Sequence, residues 1–188
     1  LLAIQLRHLL QDIGQPLAQL QVVAALLTAP ARPHGRPVTE IQMADLLREV
    51  RRRFDFCLLD APAGLGRGFQ LATCAADRCV VVTTADASSL RDAQHTVMEL
   101  DRFPSGALHL VVNRVRKKLL RQLHATIDDA IDKAGLPLLG VVPEDDALPL
   151  CMNRGVPILL ADGQSAATAY RNIAKRLQGE RVPLLRIR

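Results

Sequence analysis

Short, nearly unbroken runs of aliphatic residues recur along this chain, and longer amphipathic stretches separate them. Strands with this composition are buried on both faces, as in parallel sheets covered by helices, whereas a sheet with one face in water alternates apolar and polar residues. The runs are 22–28, 56–60, 79–84, 108–113 and 138–142. The pattern therefore predicts an α/β fold with a parallel sheet flanked by helices on both faces.

Helical spacing of apolar residues marks the stretches between these runs. The predicted helices lie within 41–54, 88–103, 126–135 and 165–179. We expect Ser88 or Ser89 to cap the second of them. The Pro- and Arg-bearing stretch 29–40 is typical of a surface loop and is too short to separate domains, so the 188 residues predict a single domain.

Composition narrows the function classes. The chain is 49% hydrophobic but only 3% aromatic, which favours a helix-and-parallel-sheet core over a β-sandwich. Its net charge of +5 suits solubility, an anionic ligand or an acidic membrane surface. Aromatic residues are not interleaved with Lys or Arg, so nucleic acid is not an expected partner. The four cysteines form no Cys-x-x-Cys pair, which argues against a metal site and predicts a reducing cytoplasm.

Polar residues stand where the predicted strands end. Asp60, Thr84 and Asn113 close three of them, and the fifth leads into Pro143 and Glu144. Ligands of parallel sheets bind beyond the carboxyl ends of the strands, so this row predicts a nucleotide site. A strand-end carboxylate followed by a Gly-containing turn is also how P-loop nucleotidases hold Mg²⁺ through water. On the residues alone, the alternative for Asp60 is a strand that ends at a capped turn.

Four motifs, "LLDAPAG", "SSLRDA", "NR" and "GVVPED", occur in order along the chain. With their flanking segments they resemble the MinD proteins, septum-site-determining ATPases of the ParA/MinD family of deviant Walker A P-loop ATPases. The resemblance covers residues 38–180, with 1–37 poorly aligned and 181–188 as a C-terminal tail. It implies one P-loop NTPase-like domain over residues 1–188 that lacks the N-terminal P-loop unit.

The resemblance implies ATP and Mg²⁺ as cofactors. It also implies which residues of the motifs contact each of them. Asp60 matches the Walker B aspartate of the Mg²⁺ shell, and Gly64 closes the switch loop that faces the γ-phosphate. Asn113 matches the residue that hydrogen-bonds the adenine edge, with Arg114 beside it. Pro143 and Glu144 match the loop that closes over the base. From the residues alone, the alternative for Asn113 is a turn residue at the end of a strand.

Partners and location follow from the same resemblance. It implies a homodimer on ATP binding, the division-inhibitor and activator proteins of the Min system, and a cytoplasmic protein peripheral to the inner face of the cell membrane. Asp92 matches a surface carboxylate linked to the dimer and its regulators, and the alternative is a solvated acid in the first turn of a helix. The tail 181–188 mixes apolar and basic residues, which suits an anionic membrane. Its few residues after Pro183 favour a solvated terminus instead, because an isolated helix needs about 12 residues.

The chain departs from the family chiefly at the Walker A loop, because it contains no Gly-Lys pair. The Walker A loop supplies most of the charge-assisted contacts to ATP, so catalytic residues are absent from the expected site, and we expect the polypeptide alone to be inactive as an ATPase. The first interpretation is an N-terminally truncated MinD-like ATPase that regulates septum placement. The alternatives are a degenerate, non-hydrolysing binding module and a ParA-like or flagellar-placement ATPase.

Overall fold

In the computed structural model, which describes residues 2–6, 37–122, 126–161 and 165–185, the chain divides into a unit of residues 2–78 and a unit of residues 79–188. The expected strand 22–28 and the expected loop up to residue 36 lie outside the described residues. Residues 37–39 have no regular structure, and Glu40 already belongs to a helix. The organisation as a single domain stays a prediction.

The first unit contains two strands and two helices. They are β1 (Leu2–Leu6), α1 (Glu40–Arg53), β2 (Phe56–Asp60) and α2 (Arg67–Thr73). A reciprocal capping box between Thr39 and Gln42 starts α1, and arginines in its last turn complement the helix dipole. β1, which the apolar pattern did not predict, pairs with β2 in an antiparallel ladder that joins Leu2 to Asp60 and Leu6 to Phe56.

β2 forms over the predicted residues, but the expectation that it is buried on both faces is wrong. Alternate residues of this strand face solvent, and the side chains of Phe56 and Leu58 are 51% and 62% exposed. The unbroken apolar run hides this alternation, because both faces of the strand carry apolar side chains. The first unit therefore presents an apolar surface beside Asp60.

The second unit carries the predicted parallel sheet. β3 (Arg78–Thr83) pairs with β4 (Leu108–Val115), and β4 pairs with β5 (Leu138–Pro143), both in parallel. The helices of this unit are α3 (Ala87–Met98), α4 (Lys117–Gln122), α5 (Ile127–Ala134), α6 (Ala147–Asn153) and α7 (Ser165–Leu177), with a 3₁₀ turn at Ile158–Leu160. The predicted α/β class, a parallel sheet flanked by helices, is confirmed.

The core of this unit is aliphatic, as its composition predicts. Leu100, Leu110 and Val112 are fully buried, and α7 lies so close to β5 that Gly140 faces Ile173 directly. Burial raises the pKa of the Cys79 thiol to about 12, so this cysteine stays a neutral apolar group at physiological pH. Within the described ranges, no helix is both long and apolar enough to cross a bilayer.

The described part of the tail, residues 181–185, forms no helix. Pro183, Leu184 and Leu185 lie beside Ile173 of α7 and the middle of β5. Of the apolar tail residues, Leu184 and Leu185 therefore lie beside the protein, with Leu184 still 42% exposed, and Ile187 lies outside the described residues.

Candidate functional site

A cleft of about 310 Å³ opens at the carboxyl ends of β3, β4 and β5. Its charged and polar lining is Thr84, Asp86, Arg114, Arg116 and Glu144. Its apolar lining includes Val115, Leu119 and Leu120. The cleft stands where ligands of parallel α/β sheets bind, because the strand ends there leave a crevice between successive loops.

A β-bulge shapes the end of β4 that faces this cleft. Val112 pairs with Val141 and Val115 pairs with Pro143, so β4 spends three residue steps where β5 spends two. The bulged part contains Asn113 and Arg114, and Arg114 has a φ of 54°. A left-handed backbone costs a bulky residue about 1–2 kcal/mol. The Asn113 side-chain oxygen accepts a hydrogen bond from the Arg114 amide at 2.9 Å, which supports this conformation.

Two arginines of this strand end share one carboxylate. Arg114 Nη2 lies 3.1 Å from Glu144 Oε1, and Arg116 Nε contacts Glu144 Oε2. The backbone amide of Glu144 also donates to the Val115 carbonyl oxygen at 3.1 Å. Arg116, and then Arg114, hold the pKa of Glu144 below its ordinary value. Both carboxylate oxygens are thus occupied, and Glu144 joins the loop after β5 to the end of β4.

The residue after Glu144 anchors the other side of the same loop. The Asp145 carboxylate accepts hydrogen bonds from the amides of Ala147 and Ala166, each at 3.1 Å, and so serves the starts of α6 and α7. Burial raises the pKa of Asp145, but these hydrogen bonds outweigh burial and leave the pKa below its ordinary value. Pro143, just before the loop, is buried. The loop at Pro143 to Asp145 is therefore held from both sides.

Asp86 forms the wall of the cleft at the end of β3. It is the N-cap of α3, so the expectation that Ser88 or Ser89 caps this helix is wrong. Its carboxylate accepts from the Ser88 hydroxyl at 2.7 Å and the Ser89 amide at 3.0 Å, and also from the Thr84 hydroxyl. The Ser88 and then the Thr84 hydrogen bonds hold the pKa of Asp86 well below its ordinary value. A carboxylate outranks a serine here because it accepts from several donors at once.

Asn113 stands slightly apart from the other expected base contacts. It is half-buried in β4 and is not among the residues that line the cleft, whereas Arg114 and Glu144 are. Its side-chain oxygen already serves the Arg114 amide. The structure thus brings Arg114, Pro143 and Glu144 together around one strand end and gives Asn113 a backbone partner beside them.

Asp60 and Gly64 belong to the first unit. Asp60 ends β2 with an exposed carboxylate that makes no hydrogen bond or ion pair within the described residues. The loop after it is exposed from Pro62 to Gly66. Gly64 has a φ of 87° and nothing within 4 Å of a Cβ position, so only its backbone requires glycine. The exposed carboxylate of Asp60 is therefore followed along the chain by an open turn in which Gly64 has a left-handed backbone.

Comparison with known proteins identifies the relatives of this chain. The family model described as cellulose biosynthesis protein BcsQ matches residues 29–176. The septum site-determining protein MinD of Bacillus subtilis (strain 168) is 37% identical over 161 residues, which are 85% of this chain and 60% of that protein. The chain is a MinD-like member of this family. It spans about three-fifths of the length of the curated relatives it matches.

Solved structures agree with this membership. The MinC:MinD cell division protein complex of Aquifex aeolicus matches the MinD-like chain with a TM-score of 0.73 and 29% identity, over 80% of this chain and 63% of that one. MinD of Pyrococcus horikoshii, solved with Mg-ADP, matches with a TM-score of 0.63 and 24% identity, over 74% of this chain and 56% of that one. The second likeness, at this identity, establishes the fold alone.

Asp92 lies on the exposed side of α3 in the MinD-like chain. It belongs to the second turn of that helix, since α3 begins at Ala87, so the alternative of a first-turn acid is wrong. Its carboxylate has no partner in the part of the chain that the structure describes, and its backbone oxygen accepts from the Thr96 hydroxyl at 2.9 Å. The side chain is therefore available to a partner.

Sequence reasoning missed four residues that line the cleft of this MinD-like protein, namely Arg116, Leu119, Leu120 and Asp86. Arg116 repeats the position of Arg114 two residues later, a spacing that places both side chains at one end of a strand. Leu119 and Leu120 lie on α4, whose Lys-Lys-Leu-Leu-Arg-Gln sequence consists of good helix formers and was a usable signal. Asp86 was missed because Ser88 or Ser89 was predicted as the cap of α3, although Asp is as strong an N-cap as Ser.

Proposed function

We propose that the chain forms part of a MinD-type ATPase that regulates the placement of the cell-division septum. In this proposal ATP binds with its base in the cleft, the ATP-bound protein dimerises, and the dimer associates reversibly with the inner face of the membrane. The observation that carries it is the charged cleft at the carboxyl ends of β3, β4 and β5 in a chain whose relatives are MinD proteins. The family model bears the name of a cellulose biosynthesis protein, but the individual relatives at 33–37% identity are named MinD.

The cleft has the chemistry that a nucleobase needs. Leu119, Leu120 and Val115 offer apolar contact to the flat faces of a base, and the arginine side chains stand at its rim. Ligand sites in general combine mostly apolar walls with a small number of fixed polar groups. Arg114 and Glu144, which the family resemblance assigns to the base, both belong to this lining.

The first unit has the chemistry that the metal needs. Mg²⁺ keeps several waters and is usually held by one or two carboxylates together with the phosphates of its nucleotide. Asp60 provides one such carboxylate, and among the described residues no group of three His, Cys, Asp or Glu side chains forms a separate metal site. The open turn at Gly64 leaves backbone N–H groups accessible to a phosphate.

The partners in this proposal are a second copy of the ATPase and a division inhibitor. The Aquifex aeolicus MinD was solved as a complex with MinC, which supports a MinC-like inhibitor as one partner of the present protein. The exposed carboxylate of Asp92 is the residue we assign to that regulatory surface. The proposed location is the cytoplasm, peripheral to the inner face of the membrane.

Adenosine is the sharpest probe of the base site, because it carries no phosphate and so does not depend on a phosphate-binding loop. We expect millimolar adenosine to shift the amide resonances of Asp86, Arg116 and Glu144 in ¹⁵N-labelled 188-residue protein, since these residues line one cleft. Cytidine at the same concentration is the control, because its smaller base leaves part of the cleft unfilled. Cleft resonances that do not respond to adenosine contradict the assignment of the base site.

The metal role of Asp60 needs a separate experiment. We expect Mg²⁺ to strengthen ATP binding by the wild-type protein and to have no such effect on Asp60→Ala, because the metal loses its protein anchor. Titration of ATP with and without Mg²⁺, followed by NMR, measures this difference. Asp55→Ala is the matched control, since Asp55 is an exposed carboxylate at the other end of β2. A Mg²⁺ effect that persists in Asp60→Ala contradicts the assignment.

A further inference from the structure

Arg116 has no role in the expected site, yet it contacts Glu144 as Arg114 does. Its guanidinium and that of Arg114 approach different oxygens of one carboxylate. The Glu144 side chain is only 20% exposed, whereas the two arginines are 59% and 66% exposed. The carboxylate is thus the enclosed member of a three-residue clamp, Arg114–Glu144–Arg116, and the arginines cover it from outside.

The clamp depends on the bulge in β4. The extra residue between Val112 and Val115 and the left-handed backbone of Arg114 lead the strand end to the start of the loop after β5. Bulges commonly stand beside functional sites, where they redirect a side chain. A strained residue is kept only when surrounding contacts hold it, and here the Asn113 side chain and Glu144 do so.

We propose that Arg116 is a positioning residue for the nucleobase site. Arg116 holds Glu144 against the cleft, and with Glu144 it holds the loop at Pro143 to Asp145. The inference rests on the proposed function, because it assumes that the cleft takes the base. In this scheme Glu144 acts through the arginines, each of which contacts one of its oxygens, and not through a contact with the base. It fixes the wall of the cleft, and Asp145 fixes the far side of the same loop through the amide of Ala166.

The test measures adenosine affinity by NMR titration in three variants of the 188-residue protein. Arg116→Ala is expected to weaken adenosine binding by about three- to five-fold, the scale of an exposed ion pair, because the loop is no longer held in place. Arg116→Lys keeps the charge without the planar fork and should recover part of the loss. Arg121→Ala, an exposed arginine on α4 outside the cleft lining, should bind as the wild type does.

A second readout follows the clamp itself. Carboxyl ¹³C resonances report the titration of Glu144, and its pKa should rise toward the ordinary value in Arg116→Ala, and less so in Arg114→Ala, because Arg116 makes the stronger contact. A loss of adenosine affinity without this change in Glu144 would overturn the proposal, because the loss would then not pass through the carboxylate. Should Arg116→Ala fail to fold, Arg116→Lys supplies the same comparison for both readouts, and Glu144→Gln tests the effect on adenosine affinity alone.

The outcomes separate the inference from the function on which it rests. If the wild-type protein binds adenosine and Arg116→Ala binds it with the same affinity, the positioning role of Arg116 is wrong. The assignment of the cleft as the base site is unaffected by that result. A wild-type protein whose cleft resonances ignore adenosine overturns the proposed function and, with it, this inference. Weaker binding in Arg116→Ala, partial recovery in Arg116→Lys and a raised Glu144 pKa support it.

Discussion

Gly140 in β5 is a single residue on which the packing of α7 depends. A Cβ built at this position would lie 2.4 Å from Ile173 Cγ1 and 2.8 Å from Cδ1. We expect Gly140→Ala to lower the free energy of unfolding by about 1–3 kcal/mol, because the helix must move away from the sheet. Urea denaturation followed by circular dichroism measures the change.

Gly66 provides the matched control for that substitution. A Cβ there meets nothing within 4 Å, and its φ of −74° suits any residue. Gly66 is the N-cap of α2, where alanine is the poorer residue, but alanine also restricts the unfolded chain, so Gly66→Ala should shift the unfolding midpoint much less than Gly140→Ala does. If Gly140→Ala unfolds at the wild-type urea concentration, α7 does not lie on β5 as described.

The start of α3 carries a prediction at the scale of one element. Asp86→Ala removes the N-cap and leaves Thr84, Ser88 and the Ser89 amide without their shared acceptor. We expect a loss of about 0.5–2 kcal/mol in the free energy of unfolding at pH 7. Asp86→Asn keeps a capping oxygen and is the conservative comparison, and it should retain most of the wild-type stability.

The same cap gives a pH dependence whose sign follows from the lowered pKa of Asp86. A carboxyl group with a lower pKa in the folded state stabilises the protein above its unfolded pKa, near 3.9, and the stabilisation is lost as the pH falls toward the folded value. The wild-type protein should therefore lose stability relative to Asp86→Asn as the pH falls below about 4. Urea midpoints of both proteins between pH 7 and pH 3 check this, and parallel curves would refute it.

Some elements were predictable from the sequence because their signals are local. The acidic first turn, the late Lys133 and the Gly135 that follows predict α5. Apolar runs predict β3, β4 and β5 within two residues at each end. β1 and the bulge at Asn113 and Arg114 were not predictable in this way. Each depends on pairing with a strand that is distant along the chain, and residue spacing within one segment carries no information on such pairing.

At the scale of the whole molecule, an exposed apolar surface on a strand is expected to promote association of the purified chain. Phe56 and Leu58 form such a surface on β2. Leu58→Lys should reduce association of the purified chain, as light scattering would show, while the free energy of unfolding stays within about 0.5 kcal/mol of wild type. Gln70→Lys adds the same charge on α2 without removing an apolar side chain. Equal scattering from the two variants would mean that charge alone controls association.

Some residues of the candidate site were predictable from the sequence and others were not, as for the elements of the fold. The sequence motifs place Asp60, Arg114 and Glu144 at strand ends, and the structure puts Arg114 and Glu144 in one cleft. Arg116 and Asp86 could be recognised as part of the site only from the structure. Each acts through contacts that strand pairing or helix capping creates. A motif identifies residue types in order, whereas the partner of each charge depends on which elements become neighbours.

The bulge in β4 also bears on which codon changes this gene tolerates. Deleting one residue from a regular strand shifts all later side chains to the opposite face, and the sheet fails. Here β4 has one residue more than β5 between their paired positions, so a deletion of Arg114 would bring Val112 and Val115 into even register with Val141 and Pro143. The sheet would lose a strained residue and keep its pairing, and the clamp on Glu144, which depends on the bulge, would be lost. A one-codon deletion at this point is therefore expected to spare the fold and remove part of the site.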